Sequence, residues 1–247
     1  MTMDSRDSGE PQPTLDVAAS LGMTGSIENA VAGRYDFEIG DVMSEAWRLV
    51  KGFKGTFWAA GIVIYLMTII SVLIWSRISL AIFSGHPGSV GPAIFNGLIG
   101  AFLAPLYVGM TALVVRRAAG LPATFATAFA YLGKVPLLFV AGLLTTLMTY
   151  LGLVLLIIPG FYLAVAYAMT IPLIAFNELG AWQAMEISRK AITHKWFRVF
   201  GLNLAVAFLV LLSALPFGIG LIWTMPWAML VLGVLYRRMF GAPAAST

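Results

Sequence analysis

The chain has 247 residues, 60% of them hydrophobic and 11% charged, a balance that excludes an ordinary water-soluble domain and reads as a multispanning membrane protein. The absence of cysteine excludes disulfides, thiolate metal sites and cysteine nucleophiles, and two histidines are too few for a histidine-built metal site. Nine of the eleven acids lie within residues 1–45 and none between Ala46 and Asn177, so the net charge of +4 conceals a strongly basic membrane part suited to anionic headgroups.

Residues 1–35 mix Asp, Glu, Ser, Gly and Pro with little apolar periodicity, and are expected to form a disordered acidic tail. They show neither the basic start nor the apolar core of a signal peptide, so the first span is expected to act as an uncleaved anchor. Residues 40–54 predict a short interfacial helix, with Val42, Ala46, Leu49, Val50 and Phe53 apolar and Glu45, Arg48 and Lys51 polar. Residues 56–75 supply a first span, about 30 Å at 1.5 Å per residue. A Gly and Pro loop holding His86 follows, and a second span over residues 94–115 stops at Arg116 and Arg117.

Residues 121–134 form a less charged interfacial segment, apolar enough to lie deeper or to re-enter. A third span covers residues 135–158, Pro159 and Gly160 are read as a tight turn, and a fourth span covers residues 161–176, kinked or ended by Pro172. Gly160, Ala164 and Ala168 make a small-residue seam for close helix packing. Residues 180–201 predict a third interfacial helix, with Ala181, Ala184, Met185, Ser188, Ala191, Ile192 and Val199 on one face and Gln183, Glu186, Lys190 and His194 on the other. Trp182 and Trp196 suit the headgroup level, and Glu186 with Lys190 is a favourable pair one turn apart. A fifth span covers residues 197–215 and a sixth residues 221–236, closed by Arg237 and Arg238, before a short tail at residues 242–247.

Interfacial segment followed by hairpin thus occurs three times, over residues 40–120, 121–180 and 181–241. The ends agree, since Pro105 precedes Arg116, Arg117 and Gly120 at the offsets by which Pro226 precedes Arg237, Arg238 and Gly241. Fourteen of the fifteen Lys and Arg residues fall on one side and Arg77 on the other, which places both termini and the interfacial segments in the cytoplasm. The expected fold is an all-α bundle of six spans over residues 36–241.

Arg189, Lys190, Lys195 and Arg198 form the densest basic cluster, beside two tryptophans, and are the candidate contact for anionic headgroups. The plainer alternative is that they only enforce orientation. No acid, lysine or histidine lies near the centre of a span, which argues against ion-coupled transport, and Asn96, Thr145, Thr146, Thr149, Tyr150 and Asn203 serve as interhelical hydrogen-bonding groups. No nucleotide-binding loop, HExxH or GxSxG motif occurs, no cofactor is implied, and basic residues spread along a membrane boundary do not make a nucleic-acid surface.

The pattern Ala184, Ser188 and Trp196 within a repeated interfacial helix resembles bacterial six-helix integral membrane proteins of little-described function, and is similar to the membrane domain attached to some glycerophosphodiester phosphodiesterases. The resemblance spans residues 36–241. It implies a bacterial inner-membrane location and a lipid-related role, and it transfers no catalytic residues because the phosphodiesterase barrel is absent from the chain. The expected function is non-enzymatic: a scaffold or a lipid-interacting module, with membrane lipids and a membrane-protein partner or second copy as its contacts. The alternative is a transporter for an apolar or lipid-like substrate.

Overall fold

The computed structural model describes residues 25–85, 90–155, 157–215 and 217–243, and all regular structure among them is helical. In chain order the elements are α1 (Ile27–Val31), α2 (Ile39–Val50), α3 (Lys54–Phe83), α4 (Val90–Ala118), two 3-10 helices (Phe125–Phe129 and Leu132–Lys134), α5 (Val135–Leu155), α6 (Ile157–Ala166), α7 (Thr170–Asn177), α8 (Ala181–Thr193), α9 (Trp196–Ala214) and α10 (Leu221–Phe240).

Four stretches among the described residues are helical, long and apolar enough to cross a membrane: Lys54–Phe83, Pro136–Val154, Ile158–Asn177 and Trp196–Ala214. They match the first, third, fourth and fifth expected spans. In α3, about 45 Å long by its 30 residues, Ile62, Leu66, Ile70, Leu73 and Ile74 are all exposed. So continuous an apolar surface would aggregate in water, whereas hydrocarbon removes the penalty.

The other two expected spans lie in α4 and α10. In α10, Trp223, Thr224, Pro226, Trp227 and Tyr236 dilute the apolar run, and two arginines occupy its last turn. From Pro226 onward it belongs to the protein interior: it packs on α2 and α4, with Trp227, Leu230, Val234, Tyr236 and Met239 buried, while Ile222, Trp223 and Met225 are exposed. Gly233 is required there, because a Cβ would stand 2.8 Å from the carbonyl carbon of Val114 in α4.

The boundary expected at residue 35 shifts. Residues 1–24 and 244–247 of the expected tails lie outside the described residues, as do His86 and Pro216. Residues 25–35 are built into the fold: Ser26 caps α1, which packs on α8 and α10, and the buried Tyr35 hydroxyl donates to the Ala191 carbonyl at 2.9 Å. Burial pushes that phenol up to about 12. These contacts were hidden in the sequence because Ile27, Ala30, Tyr35 and Phe37 join a core whose other members lie far along the chain.

Pro159 and Gly160 are not the turn; they lie inside the first part of α6, where a proline costs no intrahelical hydrogen bond. The segment at residues 121–134 is not one interfacial helix but two 3-10 pieces, started by reciprocal hydrogen bonds between Thr124 and Thr127. The first piece seats the Ala128 carbonyl against Gly109 of α4, in space that any Cβ would occupy.

Candidate lipid-contact site

The face of α8 made of Ala181, Ala184, Met185, Ser188, Ala191 and Ile192 is buried, against α5, α6 and α7, whereas Val199, expected on the same face, belongs to α9, because the helix expected over residues 180–201 ends at Thr193. The helix therefore runs back along the preceding apolar stretch. Ser188 shows why it fits. Pro172 has no N–H and its ring crowds the carbonyl four residues earlier, so the helix opens between α6 and α7 at residues 167–169. Into that opening the Ser188 hydroxyl donates to the Ala166 carbonyl at 2.7 Å and accepts from the Met169 N–H at 3.2 Å. All three residues are fully buried.

The four cations picked from the sequence are then separated by what surrounds them. Lys190 pairs with Glu186 one turn back at 2.8 Å, on the exposed side of α8. Lys195 and Arg198 converge on Asp36, at 2.7 and 2.5 Å. Arg189 stays on α8, with its carbonyl accepting from the Thr193 hydroxyl. Asp36 is the residue the sequence reading missed, and no local signal could have found it 159 residues from Lys195. The hydrogen bond from Lys195 and that from the Phe37 N–H hold its carboxyl below the usual range, with the charges of Lys195 and Arg198 adding to the effect. Because Asp36 is exposed, water screens these pairs and leaves them exchangeable.

Lys195 and Arg198 border a groove of about 700 Å³. Its apolar wall is Ile158, Phe161 and Phe197, all strongly exposed; its polar rim adds Tyr162, Thr193 and His194. The rim is fixed by hydrogen bonds. Tyr162 and Thr193 hydroxyls meet at 2.5 Å, Trp196 Nε1 donates to the Tyr162 carbonyl, and His194 Nε2 donates to the Val31 carbonyl at 2.9 Å. Trp196 also stacks on Phe200, so it stiffens the rim in addition to facing headgroups. An apolar trough with two cations and one carboxylate at its edge has the amphipathic form of a bound lipid.

The proposed packing seam divides. Gly160 is pressed against α5, where a Cβ would come 2.6 Å from the Leu153 nitrogen. Ala164 is exposed on a recess shared with Thr145, Thr146, Thr149, Tyr150 and Tyr167, and Ala168 lies in the helix break. Four-residue spacing holds a stripe together only while the helix continues, and α6 ends at Ala166. Thr145 bonds back to the Ala141 and Gly142 carbonyls and Asn203 to that of Val199, within their own helices; the side chain of Asn96 lies outside the described residues.

The fold and the groove together have the make-up of an all-helical membrane protein with an amphipathic site at the end of its apolar helices. No protein-family model, curated protein or solved structure matches the chain.

Proposed function

We propose that the chain is a non-enzymatic integral membrane protein of a bacterial cytoplasmic membrane that works as a lipid-interacting scaffold, with six spans in three units and both termini cytoplasmic. The observation that carries this reading is the groove in which Lys195 and Arg198 edge an apolar wall of Ile158, Phe161 and Phe197. An anionic phospholipid satisfies both halves, its headgroup exchanging with Asp36 and its acyl chains lying on the aromatic side chains. Each cation near a membrane surface contributes about 1 kcal/mol, so retention depends on several acting together. The order of elements is in keeping with repeated units, since α2 leads into α3 as α8 leads into α9.

Lipid retention tests the site. Changing Arg189, Lys190, Lys195 and Arg198 together to glutamine is expected to lower copurifying phosphatidylglycerol and cardiolipin severalfold, while insertion persists on the other basic segments. Unchanged anionic lipid in a correctly inserted variant would leave the cluster a purely topogenic element. Reporter fusions after Gly120, Gly160, Gly180 and Pro216 are expected to read inside, outside, inside, outside. Gly160 is decisive, because its neighbour Tyr162 contacts Thr193 and Trp196 beside the basic cluster, and that contact stands against an outside position for residue 160. A cytoplasmic reading at that position would overturn six spans.

A further inference from the structure

A second polar site lies away from the groove, where three apolar helices end. Arg116 is in the last turn of α4, Lys134 directly precedes α5, and Glu178 directly follows α7. All three line one recess of about 570 Å³, together with Thr124, Thr127 and Tyr131. That volume falls in the range of roughly 300–1,000 Å³ used by small-molecule sites. Its wall is far more polar than that of the groove.

The recess is held in shape from several sides. Arg116 Nε donates to the Pro122 carbonyl at 2.9 Å, which folds residues 116–122 around it. Lys134 Nζ donates to the Ala175 carbonyl at 3.2 Å, so its charge also caps the end of α7. The Thr124 and Thr127 hydroxyls lie 3.3 Å apart, and the Tyr131 ring stands edge-on to Phe176. Glu178 is at a left-handed φ of 52° where the chain leaves α7. Among the described residues its carboxylate has no ion pair, unlike Asp36, Glu45 and Glu186.

We infer that this recess binds a phosphate ester bearing a primary amine, the chemistry of an ethanolamine phospholipid headgroup or of the free headgroup. The phosphate lies between Arg116 and Lys134 with the threonine hydroxyls as added donors, and the ammonium turns toward Glu178. A purely anionic headgroup meets that carboxylate as a like charge, so Glu178 sets the preference while the two cations supply the affinity. The inference rests on the membrane reading above but uses different residues and a different lipid class.

Phosphatidylcholine nanodiscs doped with equal amounts of phosphatidylethanolamine and phosphatidylglycerol provide the test, with retained lipid read by native mass spectrometry. The full chain is expected to retain both lipids, phosphatidylglycerol in the groove and phosphatidylethanolamine in the recess, and the four-glutamine variant at residues 189–198 to retain phosphatidylethanolamine over phosphatidylglycerol. Arg116→Gln with Lys134→Gln should lose that retention by on the order of tenfold or more. Glu178→Gln should keep binding and lose the preference; its exposed position outside the helices keeps this variant informative if the double variant misfolds. Retention equal to wild type in a folded double variant, or an unchanged lipid ratio in Glu178→Gln, would overturn the inference. Added phosphoethanolamine that displaces the lipid assigns the site to the free ester, and failure to displace assigns it to the bilayer lipid. The four-glutamine variant at residues 189–198 should lose phosphatidylglycerol alone, so failure of the groove reading and failure of this one give different results.

Discussion

Ser188→Ala is expected to lower stability by about 2–5 kcal/mol, read as a large drop in the thermal midpoint in detergent. The alanine removes a hydroxyl that serves two buried backbone groups at once, the Ala166 carbonyl and the Met169 N–H. Each such group left without a partner costs about 1–3 kcal/mol, and neither residue is reached by water. Helix propensity works in the opposite direction by only a few tenths of a kcal/mol, so desolvation dominates. Ser44→Ala is the control. Ser44 is exposed and its hydroxyl only bonds back to the Asp41 carbonyl, so its loss should change stability by less than about 0.5 kcal/mol. Equal shifts for the two variants would show that the opening before Pro172 closes without Ser188.

Glu45→Gln should be similarly damaging, at about 2–4 kcal/mol. The Glu45 carboxylate accepts from both Arg237 and Arg238, the latter at 2.9 Å, and its side chain is only 16% exposed. Arg237 also donates to the Ala118 carbonyl at 2.5 Å, so one acid ties α2 to α10 and, through it, to the end of α4. Glutamine retains one acceptor but leaves two adjacent, largely buried guanidinium groups without a counter-charge. Arg117 closes the same end from the other side, donating to the Leu49 and Lys51 carbonyls.

The pH dependence follows with a definite sign. Burial alone would raise the Glu45 carboxyl, but the hydrogen bonds and charges of Arg238 and Arg237 outweigh it and hold the group below its ordinary 4.5. A depressed folded-state value means that the unfolded chain takes up its proton first as acid is added. Glu45 therefore contributes fully above about pH 4.5, and its contribution is lost as pH falls through the lower folded value. Glu45→Gln should reduce stability at neutral pH and flatten its decline below pH 4.5. A decline as steep as that of wild type would assign acid sensitivity to other carboxylates.

The helical class, four of the six expected spans and the inward face of α8 are legible in the amino-acid order alone. These properties are local: length, composition and a 3.6-residue period act between neighbours in the chain. The Glu186 and Lys190 pair was legible for the same reason, since one helical turn brings them together at 2.8 Å. Tertiary packing was needed to bring Asp36 onto Lys195 and Arg198, to anchor Arg237 and Arg238 on Glu45, and to bury α10 from Pro226 onward. It alone decided that Ser188 fills the gap made by Pro172, and that Arg116, Lys134 and Glu178 share a recess. Charge density along the chain pointed to residues 189–198, where Lys195 and Arg198 were counted without Asp36, the distant acid they share. Which charges keep an accessible site depends on how helices far apart in sequence cross and end, and no periodicity within one helix encodes that.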